Sequence, residues 1–323
     1  MSTQSLDVLS RARSLILAWA LLTAFSPAPL GGPQAGVAPP QAASARTANG
    51  TGEAQPPKAK DSLRFAVIGD SGTGGRAQYE VGARMTGALD VFPYEFVLML
   101  GDNIYGSERP QDFVVKFEKP YQGILARKIP FYASLGNHDD PNQRYYEPFN
   151  MSGKRFYAFE KKGVKFFALD SNYMDKDQQD WLARELSASR ERWKIAFFHH
   201  PLYSSGERHG SEVDLRAIVE PLFVKHRVSA VFAGHEHFYE RLKPQNGIYY
   251  FTSGAAAKLR AGNIRVGPLT EKGFDTDFSF MLIEIDGERM HFQSLSRRGR
   301  LVDSGTIAPE AVNTTSQPGG PRP

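Results

Sequence analysis

The chain has 323 residues, 41% hydrophobic, 12% aromatic and 23% charged, proportions that support a buried core and exclude disorder throughout. Its formal net charge of +4 comes from charges scattered without a basic tract, so no nucleic acid is expected as a specific partner. Cysteine is absent. That excludes disulfide scaffolds, thiolate zinc sites, iron–sulfur clusters and cysteine nucleophiles, and leaves any metal to nitrogen and oxygen ligands.

At the start of the chain, Arg11 and Arg13 precede the apolar run Ser14 to Phe25. The run is short for a bilayer span and suits a secretory h-region, so residues 1–25 are read as a signal peptide or N-terminal anchor, with a buried helix as the competing reading. Ala43-Ser44-Ala45 fits small-residue cleavage but lies well beyond the run. Export follows in either case, to a periplasmic, secreted or extracytoplasmically anchored location, and a membrane is a partner only if the segment stays uncleaved. Residues 26–61 hold seven prolines, many alanines and no aromatic side chain, the composition of a linker too poor in apolar surface to order itself. The tail at 303–323 has the same character, which leaves residues 62–302 as one catalytic-size α/β domain.

Within that domain, near-continuous apolar runs predict buried strands at 63–69, 95–101, 130–135, 166–170, 194–199 and 228–234. Helices are expected at 178–189, where Trp181, Leu182 and Leu186 share a face, and at 213–226, where Pro221 should kink or restart the helix. Beyond Gly247 the pattern becomes strands alone, with an Asp286-Gly287 turn, and reads as an antiparallel addition.

The strands finish in a particular chemistry. In order, their ends are Gly69-Asp70-Ser71-Gly72, Gly101-Asp102-Asn103-Ile104-Tyr105, Gly136-Asn137-His138-Asp139, His199-His200-Pro201 and Gly234-His235-Glu236-His237. Carboxyl ends of strands in an α/β sheet converge on one crevice, so these distant segments become neighbours. Carboxylate and amide oxygens with imidazole nitrogens suit Fe, Mn and Zn. Two such ions about 3.5–4 Å apart polarise a phosphoryl group and generate a nucleophile near neutral pH. The recurring glycine before Asp or His lets the backbone turn sharply and approach closely.

These motifs, in this order, resemble the calcineurin-like metallophosphoesterases and more closely the purple acid phosphatases, across the core from Arg64 to about Ser296. Asp70-Ser71-Gly72 in place of Asp-x-His, with Tyr105 three residues after Asp102, carries the closer resemblance. It implies an α/β fold of the metallophosphoesterase type, a β-sandwich of mixed sheets flanked by helices with a metal site at the carboxyl ends of the strands, in the small single-domain form. It also implies two metal ions, Fe(III) at the Tyr105 site and Fe, Zn or Mn at the second. Asp70, Asp102, Tyr105 and His237 would hold the first and Asp102, Asn137, His199 and His235 the second, with Asp102 as the bridge. A metal-bound hydroxide would attack phosphorus in line without a phosphoenzyme. His138 and His209 would contact phosphate, with Asn137, or protonate the leaving group.

The resemblance is imperfect in places. The interval from His199 to His209 is one residue longer than in mammalian-type enzymes, and Ser253-Gly254-Ala255-Ala256-Ala257 replaces a more glycine-rich stretch. His200 reads as a ring packed beside Pro201, and His226 and His291 as residues of a helix end and a strand. The leading expectation is an acid phosphatase acting on phosphomonoesters, either small molecules or phosphorylated substrates. A phosphodiesterase or nucleotidase with the same centre is the alternative, and a non-enzymatic phosphate-binding module the remaining one.

Overall fold

The computed structural model describes residues 59–309. The expected signal or anchor at 1–25 and all but the last residues of the expected linker lie outside the described residues. Thirteen strands run in chain order: β1 Leu63–Ile68, β2 Phe96–Leu100, β3 Phe131–Ser134, β4 Tyr157–Lys161, β5 Val164–Ala168, β6 Trp193–Phe198, β7 Ala230–Ala233, β8 Tyr239–Leu242, β9 Tyr249–Ser253, β10 Thr270–Phe274, β11 Ser279–Ile285, β12 Met290–Ser296 and β13 Leu301–Ile307. The helices are α1 Arg76–Val91, two single turns α2 Pro110–Phe113 and α3 Gln122–Leu125, α4 Lys176–Ala188 and α5 Val213–His226.

The strands form two mixed sheets, one of six in the order β13-β12-β11-β1-β2-β3 and one of seven in the order β10-β8-β9-β7-β6-β5-β4. In the first, β1, β2 and β3 are parallel, and β11 to β13 add antiparallel beside β1. In the second, β5, β6, β7 and β9 are parallel, while β4 and β8 run against them. The expected fold class, a sandwich of mixed sheets flanked by helices, is what forms.

The space between the sheets is filled by aromatic rings. Phe65 and Phe96, on neighbouring parallel strands, stack at 5.1 Å, and both meet Phe166 of the other sheet edge-on at 5.4 Å. Offset and edge-to-face pairs of this kind add about 0.5–1.5 kcal/mol each beyond area burial. Outside the second sheet, α4 and α5 cover its far face with Leu182, Leu186, Leu215, Val219 and Phe223, packed with Phe167 and Phe198. On the first sheet α1 contributes Val81, Met85, Ala88 and Leu89 to the larger cluster.

Several expectations need correction. Of the two expectations for Pro221 the restart does not occur: helix α5 passes through it, and Ala217, whose carbonyl loses its bond, and Pro221 are both exposed, which leaves the freed acceptor open to solvent. Strand β9 pairs parallel with β7 as well as antiparallel with β8, so the purely antiparallel additions begin only at β10. The domain also outruns its expected limits of 62 and 302. Ala59 donates its N–H to Glu284 Oε1 at 3.0 Å, and β13 carries the first sheet through Ile307, with Asp303 bound to Arg241 Nε at 2.8 Å. The tail expected to start at 303 is therefore partly an edge strand.

Candidate metal centre

Five strand ends meet at one place because the parallel strands β1, β2 and β3 of one sheet and β6 and β7 of the other point the same way. The loops that follow are bonded to one another: Asp70 N–H donates to Gly101 O at 3.1 Å and Ser71 N–H to Asp102 O at 3.2 Å. Asp70, Asp102 and His235 all have left-handed backbones, with φ of 54°, 53° and 67°. Such conformations cost of order 1–3 kcal/mol each and persist where surrounding structure imposes them. Here they turn three candidate ligands into one crevice.

The candidates fall into two groups. In the first, Tyr105 Oη donates to Asp70 Oδ1 at 2.9 Å and lies 3.4 Å from His237 Nε2, which is itself 3.2 Å from Asp70 Oδ1. In the second, Asn137 Oδ1 lies 3.0 Å from both His199 Nε2 and His235 Nδ1, and those two nitrogens are 3.1 Å apart. Asp102 stands between, buried, its Oδ1 3.5 Å from His199 Nε2. Ligand atoms of Asp70, Asp102 and His237 all lie within 4.8 Å of one another, as do those of His199, His200 and His235. All seven expected metal-binding residues are thus brought together.

The electrostatics of this crevice call for cations. Burial first, then the neighbouring Asp102 charge, pushes the Asp70 carboxyl well above the usual carboxylate range. Burial and the same two carboxylates push the Tyr105 phenol up. Burial also lowers His199, lowers His235 to about 2 and lowers His237 to about 4, which leaves neutral rings with free lone pairs. His199 Nδ1 meets Leu100 O at 2.9 Å, and that bond fixes the tautomer in which Nε2 faces the centre. Buried anionic oxygens beside neutral imidazoles form a donor set that fits two metal ions.

Close approach explains the glycines. A Cβ on Gly136 would lie 2.2 Å from Asp102 N and 2.3 Å from Asp102 Oδ1. Gly136→Ala is expected to cost about 1–3 kcal/mol of stability by overpacking and to displace Asp102, so metal content should fall while circular dichroism stays native. Retention of two metals per chain would show that the loop yields elsewhere.

Around the candidate ligands, His138 donates its N–H to Asp102 Oδ1 at 2.9 Å, and its exposed ring sits 4.9 Å from that of Tyr105. The exposed His209 ring lies 4.3 Å from that of His235. His200 does more than pack beside Pro201: its Nδ1 is 2.8 Å from Ser171 Oγ and its ring 4.6 Å from that of His235. His226 and His291 lie at the end of α5 and in β12, as expected.

Residues 63–239 match the family described as calcineurin-like phosphoesterase. The chain belongs to that family. This calcineurin-like phosphoesterase is a metal-dependent phosphatase, and the family's members imply a dinuclear centre. It is 28% identical to human tartrate-resistant acid phosphatase type 5 over 75% of this chain and 90% of that protein. Against purple acid phosphatase 18 of Arabidopsis thaliana the identity is 33%, over 59% of this chain and 47% of the relative. The solved structure of a purple acid phosphatase from yellow lupin seeds shares the fold, with a TM-score of 0.65 at 17% identity, over 76% of this chain and 54% of that one.

The sequence reading gives no role to three residues of the site: Lys258, outside every motif, and Glu236 and Asp139, which sit inside two of them. Lys258 Nζ sits 3.7 Å from the Tyr105 ring centroid. Glu236, fully buried between His235 and His237, accepts the Gly210 N–H at 2.9 Å and pairs with Arg260 at 3.2 Å, which ties down the loop that carries His209. Asp139 accepts the N–H groups of Gly136 at 2.8 Å and Ile104 at 3.0 Å, and so joins two of the converging loops.

Proposed function

We propose that this phosphoesterase is an acid phosphatase of the purple type, exported from the cytoplasm and acting on phosphomonoesters. The observation that carries the reading is the meeting of a phenol, a carboxylate and an imidazole at Tyr105, Asp70 and His237. A phenolate is a hard anionic donor suited to a ferric ion, and the nitrogen and amide ligands opposite suit Fe, Zn or Mn. Asp70, Asp102, Tyr105 and His237 would hold the first ion, and Asp102, Asn137, His199 and His235 the second.

Two bound cations supply Lewis-acid polarisation of the phosphoryl oxygens and lower the pKa of water, so that a nucleophile exists near neutral pH. The chain's own groups do the rest. His138, exposed beside Tyr105, takes a phosphoryl oxygen by hydrogen bonding. His209, on the loop held by Glu236, gives a proton to the departing alkoxide. Residues 1–25 as a signal peptide or anchor and residues 26–61 as a linker are part of the same proposal. Among the described residues no helix is long and apolar enough to cross a membrane.

The test is a visible spectrum with metal analysis. The iron-loaded protein should show a phenolate-to-iron charge-transfer band, which Tyr105→Phe abolishes while the fold and the second metal remain. A colourless ferric wild type would overturn the purple-type reading, and preferential turnover of a bis-ester over a monoester would favour the phosphodiesterase alternative.

A further inference from the structure

Beside Asn137 and His200 the metal centre opens into a cleft of ≈ 430 Å³, walled by Ser171, Asn172, Tyr173 and Glu212 among others. None of the residues lining it is a lysine or arginine. Its carboxylates differ in their surroundings. Asp170 is neutralised by Arg155 at 2.8 Å, and Asp139 is turned toward the backbone N–H groups of Gly136 and Ile104. Glu212 is not compensated: it precedes α5 without a side-chain cap bond, and among the described residues its carboxylate has neither an ion-pair partner nor a hydrogen-bond donor. Facing the same space is the Tyr173 ring, 63% exposed, with the Arg155 guanidinium, paired to Asp170 and Asp175, 5.9 Å from its centroid.

The other flank of the centre has the opposite sign. Lys258 lies over Tyr105, Arg260 is held by Glu236, and Arg208 stands beside His209. A substrate's dianionic phosphoryl group is drawn to the cationic flank and the metals. What remains is the alcohol, and the cleft next to Asn137 is large enough for a small one.

Resting on the phosphatase reading above, we propose that this cleft is the leaving-group subsite and that Glu212 and Tyr173 make it select phosphomonoesters whose alcohol carries an ammonium group, against those whose alcohol carries a carboxylate or a second phosphate. An ammonium in the cleft gains the attraction of an uncompensated carboxylate, and an aromatic face adds a cation–π contact. An anionic alcohol meets repulsion from the same carboxylate, with no lining cation to offset it. Specificity here comes largely from the disfavoured substrate.

The experiment compares kcat/KM for phosphoethanolamine and 3-phosphoglycerate, with p-nitrophenyl phosphate as a reference, in the metal-loaded wild type and in Glu212→Gln, Glu212→Lys and Tyr173→Ala. Dividing the wild-type ratio of the two esters by the variant ratio cancels their intrinsic reactivity. For Glu212→Gln this quotient should be about tenfold at low salt, from unit charges several ångströms apart at a protein edge, and should shrink as salt is added. Glu212→Lys should reverse the preference, and Tyr173→Ala should lower turnover of the ammonium ester more than that of p-nitrophenyl phosphate, whose uncharged nitrophenyl group enters the same subsite. A quotient near one for Glu212→Gln, with reference turnover intact, overturns the subsite. Absence of reference turnover in the metal-loaded wild type overturns the phosphatase reading instead, so the two failures are distinguishable.

Discussion

Asp102→Ala is expected to release metal from both halves of the centre and remove nearly all phosphatase activity, the largest effect of any single substitution in this chain. Asp102 is buried between the two groups of donors, its Oδ1 3.5 Å from His199 Nε2, and its charge is the one that most raises Asp70 after burial itself. Two cations a few ångströms apart repel each other, and a shared carboxylate offsets that repulsion while binding both. Loss of an outer-shell partner commonly lowers metal affinity about 10–100-fold, and a shared inner ligand should cost more than that. Metal analysis after gel filtration and p-nitrophenyl phosphate turnover measure it. Asp102→Asn, which keeps the shape and the hydrogen bond from His138 N–H but drops the charge, separates the electrostatic role from the structural one. If Asp102→Ala keeps two metals and substantial turnover, the ion pair does not need a bridge at this position.

Much of this site was legible because its residues follow buried strands directly. An apolar run such as Phe96–Leu100 announces its own end, and the Gly101-Asp102 that follows must emerge at the edge of the sheet. Parallel order then brings such ends together without any knowledge of side-chain contacts. Strand β8 shows where the same reasoning stops. Its sequence Tyr239-Glu240-Arg241-Leu242 has two charges in four residues, yet all four are buried. Arg241 is compensated by Asp303 at 2.8 Å, and Glu240 accepts the Ser205 N–H at 3.0 Å. A buried charge is satisfied by residues far along the chain, so hydropathy alone reads such a strand as a loop. The same pairing hid β13, since Asp303 looked like the start of a polar tail. Edge strands β4 and β10 are half-exposed and lack a continuous apolar run for a similar reason. Lys258 and Glu212 stand on loops whose sequence has no periodicity, and only their distance from Tyr105 and their place on the cleft wall reveal them.

His209→Ala is expected to depress turnover of alkyl phosphates far more than that of nitrophenyl phosphate, whereas His138→Ala should weaken both substrates alike. As the P–O bond breaks, an alkoxide needs a proton and a nitrophenolate does not, so the loss of a general acid, typically worth about 10²–10⁴, falls on the poor leaving group. The geometry divides the two roles. His138 is anchored through its backbone to Asp102 and its ring lies beside Tyr105, on the flank proposed to take the phosphoryl oxygens. His209 projects from the loop between β6 and α5, its ring 4.3 Å from His235. Because Glu236 holds that loop through Gly210 N–H at 2.9 Å, the imidazole is placed from below despite its exposure. The loop from His199 to His209 thus has its own anchor, and the His209 ring lies beside the centre. Glu236→Gln keeps a hydrogen-bond acceptor but loses the charge that holds Arg260, so it should reproduce part of the His209→Ala pattern by loosening the loop. Equal losses on alkyl and nitrophenyl esters in His209→Ala would show that His209 binds phosphate instead of delivering the proton.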